Sequence, residues 1–304
     1  MNLRRLIKRK INELRNKYPV GYYILNKRNR RIREEFKKSL GESEVDFNKL
    51  TSDNWCNHRE TVVVYPRTTI LGLNPHRVIG CIKCGLEFTE KIPSLTSVKK
   101  PYKSEDYYFR GSLPAFDNSG KPLKEWLLSI FVRYIEALKI DKYVNEPKRY
   151  LEIGCGVGFT VAMMRDWGFD SYGVEISDWA VDYMKNELKI KNAIRCDDLK
   201  EAKFPDNFFG FIHMGHTIEH LINPIDTLKE IYRILAPDGV LFLITPDVEL
   251  DDFTYYIKEH FYFFSEYALL YWLRVIGFRN IEIHRDMGEK HILEGPCFLV
   301  LAKK

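Results

Sequence analysis

Three groups of residues in this 304-residue chain have the types and spacings of working chemistry. The first is a glycine turn. A strand that bends sharply into a helix needs glycine where a side chain would block a ligand or where φ must be positive. The run 150–160 supplies Gly154, Gly156 and Gly158. Glu175 follows 21 residues after Gly154, where a carboxylate can accept both hydroxyl hydrogens of a ribose, and Asp198 stands where an adenine ring would lie. A dinucleotide site would instead read Gly-x-Gly-x-x-Gly, whereas here the third glycine comes two residues after the second and position 159 is Phe. The second group is Cys81-Ile-Lys-Cys84 with Cys56-Asn-His58, two ligand pairs bridged by a loop of 22 residues. Two thiolates two residues apart suit one tetrahedral ion, and four protein ligands would leave no open position for substrate, so the role is structural. His76 is an alternative to His58 as the fourth ligand. The third group is His216, Glu219 and His220, a spacing that brings the three to one side of a helical turn.

The elements that must position these groups follow from hydrophobic periodicity. From residue 149 onward β-like runs at 150–153, 171–175, 193–196, 209–214 and 240–244 alternate with helical runs at 159–167, 179–188, 226–235 and 266–275. Alternation of this kind predicts an α/β Rossmann-like domain over 147–304, its mostly parallel sheet covered on both faces. Strands at 280–284 and 297–302 close the series without a helix between them, which predicts seven strands with an antiparallel last one. Residues 46–105 contain short β runs broken by Pro and Gly, as expected of a small ribbon-like module around the cysteines. Residues 106–146 read as a linker and a leading helix. Residues 1–45 read as a helical arm in which Leu3, Ile7, Ile11, Leu14 and Tyr18 make an apolar stripe.

The net charge of +5 is unevenly spread. Residues 1–39 carry 14 Lys and Arg against three glutamates, a net of +11, which leaves the remainder at −6. The basicity therefore belongs to the arm, which suits an anionic membrane surface, RNA phosphates, or simple packing with a solvated basic face. An acidic remainder disfavours a long phosphate-tracking surface for nucleic acid. No apolar run approaches the roughly 18 residues of a membrane span and no secretory signal is visible, so the expected location is the cytoplasm, with peripheral attachment to its membrane face through residues 1–39. Cys155, Cys196 and Cys297 lie in apolar runs as small hydrophobes.

Five motifs in order, Leu151-Glu-Ile-Gly-Cys-Gly-Val-Gly158, Gly173-Val-Glu-Ile-Ser177, Asp198 to Asp206, Thr217-Ile-Glu-His-Leu221 and Leu235-Ala-Pro-Asp-Gly-Val240, resemble the class I S-adenosylmethionine-dependent methyltransferase superfamily over about 147–304. The resemblance implies that Gly154, Cys155, Gly156 and Gly158 pack against the methionine end of the cofactor, that Glu152 helps hold its amino group, and that Asp198 with Leu199 borders the adenine. The cysteine module is similar to the zinc ribbon that precedes the catalytic domain of many sugar methyltransferases, although its first knuckle departs from Cys-x-x-Cys. That likeness implies methylation of a sugar or glycan, nucleotide- or lipid-linked, with His220 as general base and Glu219 as its orienting partner, and the short catalytic region, without the long C-terminal extension of sugar C-methyltransferases, favours transfer to oxygen. Similarity to ubiquinone-pathway and small-RNA methyltransferases implies instead a divalent metal at His216, Glu219, His220 and His260. A third reading gives Glu219-His220 no chemical role beyond closing the cofactor pocket. An RNA methyltransferase and a cofactor-binding module without catalysis are the alternative functions.

Overall fold

The computed structural model describes residues 56–65, 76–103, much of 105–108 and 128–139, and 147–248, 259–286 and 297–304. The basic arm at 1–45 lies outside the described residues.

Strands β1 (Thr61–Tyr65), β2 (Val78–Cys81) and β3 (Glu87–Thr89) form antiparallel ribbons, followed by the short helix α1 (Leu95–Lys99). The main series is β4 (Arg149–Ile153), α2 (Phe159–Asp166), β5 (Asp170–Glu175), α3 (Asp178–Asn186), β6 (Asn192–Arg195) and β7 (Phe209–Gly215). It continues with α4 (Pro224–Ile234), β8 (Leu235–Pro246), β9 (Tyr262–Phe263), α5 (Glu266–Ile276), β10 (Arg279–Asp286) and β11 (Cys297–Lys303). The seven-stranded sheet has the order β10-β11-β8-β7-β4-β5-β6. Strands β4 to β8 pair in parallel, and β11 lies antiparallel between β8 and β10.

This sheet is sealed on both faces, which is why its central strands are apolar on both sides. Ile212 and Leu241 face a layer containing Leu228 and Ile231 of α4 and Leu269 and Leu273 of α5. Tyr150, Phe211 and Phe242 face the other layer with Val161 and Met164 of α2 and with Phe131 and Tyr134 of the leading helix. Helix starts follow local chemistry: Ser177 and Ser265 accept from Ala180 N and Ala268 N as N-caps of α3 and α5. Pro224 occupies the first turn of α4. Gly277, at φ 119°, ends α5 in the left-handed region.

Two of the boundaries that differ from the periodicity have a local cause. Helix α4 starts at Pro224 rather than 226, because a proline without an N–H loses nothing at that position. Strand β8 starts at Leu235, ahead of the Pro237-Asp238-Gly239 turn, in which Asp238 has φ 58°. The small sheet is also larger than its own segment of sequence. Its order is β1-β2-β3-β9, so the fourth strand comes from the C-terminal half of the chain. No described helix is long and apolar enough to cross a membrane.

Candidate functional site

The carboxyl ends of β4, β5, β6 and β7 open into a cavity of about 770 Å³, a size typical of small-molecule sites. Gly154, Gly156 and Gly158 form its turn, with φ of 68°, 54° and 78°. At Gly154 a Cβ would lie 2.4 Å from Thr217 Oγ1, and at Gly158 it would lie 2.5 Å from Met184 Sδ. Neither position tolerates a side chain. At Gly156, among the described residues, only Tyr108, 3.8 Å away, comes near such a Cβ, so this glycine leaves open space on the cavity side. Cys155 is buried in the turn and lines the cavity, with its sulfur 3.5 Å from Met184 Sδ.

Glu175 ends β5 at the cavity wall. Its Oε2 accepts from Gly156 N at 2.9 Å, and its Oε1 from Ile176 N at 2.8 Å and Ser177 N at 3.1 Å. Burial raises its pKa, partly offset by these amide bonds and by the Tyr108 hydroxyl, which points at Oε1 from 3.5 Å. The carboxylate thus both fixes the glycine turn and faces the cavity. Burial and the nearby Glu175 charge push the Tyr108 hydroxyl upward, so it remains a donor.

Asp198 and Leu199 line the same cavity beyond β6. Asp198 accepts from Lys200 N at 2.9 Å and caps a short 3-10 turn, Leu199–Ala202. Its neighbour Asp197, not singled out by the sequence, also lines the cavity and is ion-paired to Lys99 and, at 2.6 Å, to Arg195. Burial works to raise the Asp197 pKa, but the two cations more than offset it and hold the group below its ordinary value. Tyr102, Tyr107 and Tyr108 cover the cavity from the N-terminal side, with Tyr108 stacked 5.2 Å from Trp179 and Ser177 Oγ donating to Tyr102 O at 2.7 Å. In the sequence this wall is marked by the closely spaced tyrosines at 102, 107 and 108.

Glu152 is buried below the turn and is not among the cavity-lining residues. Its Oε1 lies 3.3 Å from Nδ1 of His213, on the adjacent strand in direct register.

Beyond β7 the three sequence candidates lie close together but not on one α-helical turn. His216, at φ 47°, precedes a three-residue 3-10 turn, Ile218–His220. His216 and His220 line the cavity, while Glu219 is buried behind them. His216 Nδ1 is 3.7 Å from Glu219 Oε1, and Thr245 Oγ1 donates to Glu219 Oε2 at 3.3 Å. Burial would raise the Glu219 pKa, but His216, His220 and His260 hold it down to about 2. His220 Nδ1 is 2.8 Å from the Glu259 carbonyl oxygen, so the main chain, rather than Glu219, holds its ring. That contact puts the Nδ1 hydrogen on the carbonyl and leaves Nε2 as the basic nitrogen. His260 stacks edge-on against His220 at 4.7 Å, and Glu219, His220 and His260 present ligand atoms within 4.8 Å of one another.

The second cluster comprises Cys56, His58, Cys81 and Cys84, whose ligand atoms also all lie within 4.8 Å. Cys56 Sγ is 3.5 Å from Cys81 Sγ, and Cys84 Sγ is 3.4 Å from His58 Nδ1. Tetrahedral zinc with thiolate bonds of about 2.3 Å places its sulfurs about 3.7 Å apart, so the donor set fits that ion. His76 is not part of the cluster. The knuckle is seated on α5: Gly85 adopts φ 70° against Tyr267, and Tyr267 Oη donates to Lys83 O at 3.1 Å.

Residues 131–283 match a family model described as a methyltransferase domain. Among curated proteins, the chain is 28% identical over 172 residues to a sterol 4-C-methyltransferase of Caenorhabditis elegans, covering 51% of this chain and 47% of that protein. It is 26% identical to phosphoethanolamine N-methyltransferase 2 of the same organism, over 49% of this chain and 38% of that one. The chain thus spans about half the length or less of these relatives. Among solved structures, a methyltransferase from Archaeoglobus fulgidus superposes with a TM-score of 0.48 at 20% identity, covering 66% of this chain and 97% of that one.

Proposed function

The chain belongs to the methyltransferase-domain family, and we propose that it is an S-adenosylmethionine-dependent enzyme that O-methylates a sugar or glycan carried on a nucleotide or a lipid. The arrangement of Glu175 carries the cofactor half of this reading. Its carboxylate clamps the glycine turn through Gly156 and faces a cavity long enough to continue past Asp198 at one end and His216 and His220 at the other. The bound cofactor would supply a methyl group on a sulfonium. The chain must align an acceptor oxygen and take its proton, each a positioning or proton-transfer task. His220 is suited to the second, with its ring fixed by the Glu259 carbonyl and its side chain on the cavity.

Pro93, Leu95, Val98, Leu221 and Ile222 add apolar lining to the cavity, and Leu95 is also exposed. This favours a lipid-linked acceptor over a nucleotide-linked one. The relative named as a sterol methyltransferase supports a lipid-borne acceptor. The cysteine and histidine knuckle would hold a structural zinc ion, and Glu219, His220 and His260 could share a divalent metal in place of the base role. The basic arm would bring the enzyme to an anionic membrane face.

The test is transfer of labelled methyl from S-adenosylmethionine to lipid-linked sugars, nucleotide sugars and RNA, compared side by side. Label on a lipid-linked sugar, lost in His220→Ala with cofactor binding intact, is the expected result. Label on RNA alone would transfer the assignment to that class. Cofactor binding without turnover on any acceptor would leave a binding module. Sedimentation with anionic vesicles, lost on deleting residues 1–39, is the expected result for the arm.

A further inference from the structure

His213 is the only histidine of β7 and is almost wholly buried, 5% exposed, yet it lines the cavity. Its Nδ1 is 3.3 Å from both Glu152 Oε1 and the Tyr150 hydroxyl. A carboxylate beside Nδ1 favours the tautomer with the hydrogen on that nitrogen, so Nε2 carries the lone pair. Among the described residues Nε2 has no hydrogen-bond partner, and neither has Glu152 Oε2, although both atoms are buried. Buried polar atoms without partners are costly, and a ligand that completes them recovers that cost.

The position of Nε2 is equally informative. A Cβ on Gly215 would fall 3.1 Å from it, so the imidazole edge faces the space that Gly215 leaves open at the cavity floor. Gly215 adjoins the glycine turn: Thr217 Oγ1 donates to Gly215 O at 2.9 Å and to Ile153 O at 3.3 Å. The ribose and adenine groups Glu175, Asp198 and Leu199 lie toward β5 and β6, so the β7 side of the turn receives the other end of the cofactor. With the Nδ1 hydrogen directed at Glu152, Nε2 presents a lone pair that suits a ligand N–H donor.

We propose that His213 accepts a hydrogen bond at Nε2 from the α-ammonium of the methyl donor, with Glu152 as the positioning residue that fixes its tautomer. The proposal rests on the S-adenosylmethionine reading above. It moves the contact implied for Glu152 onto the imidazole in front of it.

The test uses three probes in calorimetric titrations of the full chain: S-adenosylhomocysteine, its decarboxylated amine, and 5′-methylthioadenosine, which lacks the amino-acid end. Hydrogen bonds to charged groups contribute about 1.5–3 kcal/mol, so His213→Leu is expected to weaken the first two probes about tenfold or more. Binding of 5′-methylthioadenosine should stay within about twofold. His213→Gln, which keeps a polar atom near the Nε2 position, should recover part of the loss, and Glu152→Gln should reproduce the selective loss without opening a cavity. Equal weakening of all three probes, or no change in any, would overturn the proposal. Loss confined to S-adenosylhomocysteine would do so as well, since it would place the carboxylate at this site. Wild-type protein that binds none of the probes would instead refute the cofactor reading.

Discussion

The main-chain N–H of Phe261 donates to the carbonyl of Glu219 at 2.8 Å, tying the segment that carries His260 to the turn that carries His220. The same segment faces the other way toward the cysteine knuckle. Phe261 O accepts from Thr89 N at 2.9 Å, and Tyr262 pairs with Phe88 in the β3–β9 ladder. The knuckle therefore buttresses one wall of the cavity through a two-residue strand, too short to hold its place alone.

Metal removal should be felt on that wall. Zinc analysis is expected to find about one equivalent, lost in Cys84→Ser, because ligand thiolates and metal fold together. The variant should melt at lower temperature and show faster amide exchange at 260–263, while β4 and β5 stay protected. Full zinc content in Cys84→Ser, or unchanged exchange at 260–263, would separate the knuckle from the site.

Two glycines with positive φ allow backbone strain to be separated from steric contact. Gly168, at φ 89°, has nothing within 4 Å of a Cβ, whereas Gly154 would place one 2.4 Å from Thr217 Oγ1 and 2.7 Å from its methyl. Gly168→Ala is expected to cost about 1–2 kcal/mol from the left-handed backbone alone. Gly154→Ala should cost more and also weaken S-adenosylhomocysteine, since Thr217 must move. Urea denaturation of both variants checks the difference, and equal losses would mean that the turn yields without strain.

The parallel sheet was legible because five apolar runs alternate with helical ones, and only a doubly covered sheet buries strands such as Phe211-Ile-His-Met214 on both faces. The placement of Glu175 on the cavity and the approach of Cys81 to Cys84 were legible because both depend on local spacing. The failures were of two physical kinds. The pairing of β9 with β3 joins residues far apart in sequence through two residues, and no periodicity marks so short a strand. His213 sits singly in an apolar strand, where a histidine ordinarily reads as core. Its meaning came from Glu152 on the neighbouring strand, a relation fixed by the β4–β7 register. For Asp197 and Asp198 the sequence located the place but not the division of labour. One acid caps a turn and the other takes Lys99, which arrives from the small module.

Glu219 offers a test that needs no acceptor. An unperturbed glutamate titrates near 4.3, and the surrounding histidines hold this one at about 2. A carboxyl whose folded pKa lies below its unfolded value contributes stability above the unfolded value and loses it as pH falls through the folded one. The window therefore runs from about pH 4.5 down to about pH 2, with a contribution on the order of a few kcal/mol. Glu219→Gln carries no charge to lose, so its unfolding free energy should fall less steeply than that of the wild type across this window. Urea denaturation at half-unit pH steps measures both slopes. Parallel curves would mean that the three histidines do not hold the carboxylate in its charged form, and the case for a metal or proton-transfer centre at this turn would fall with them.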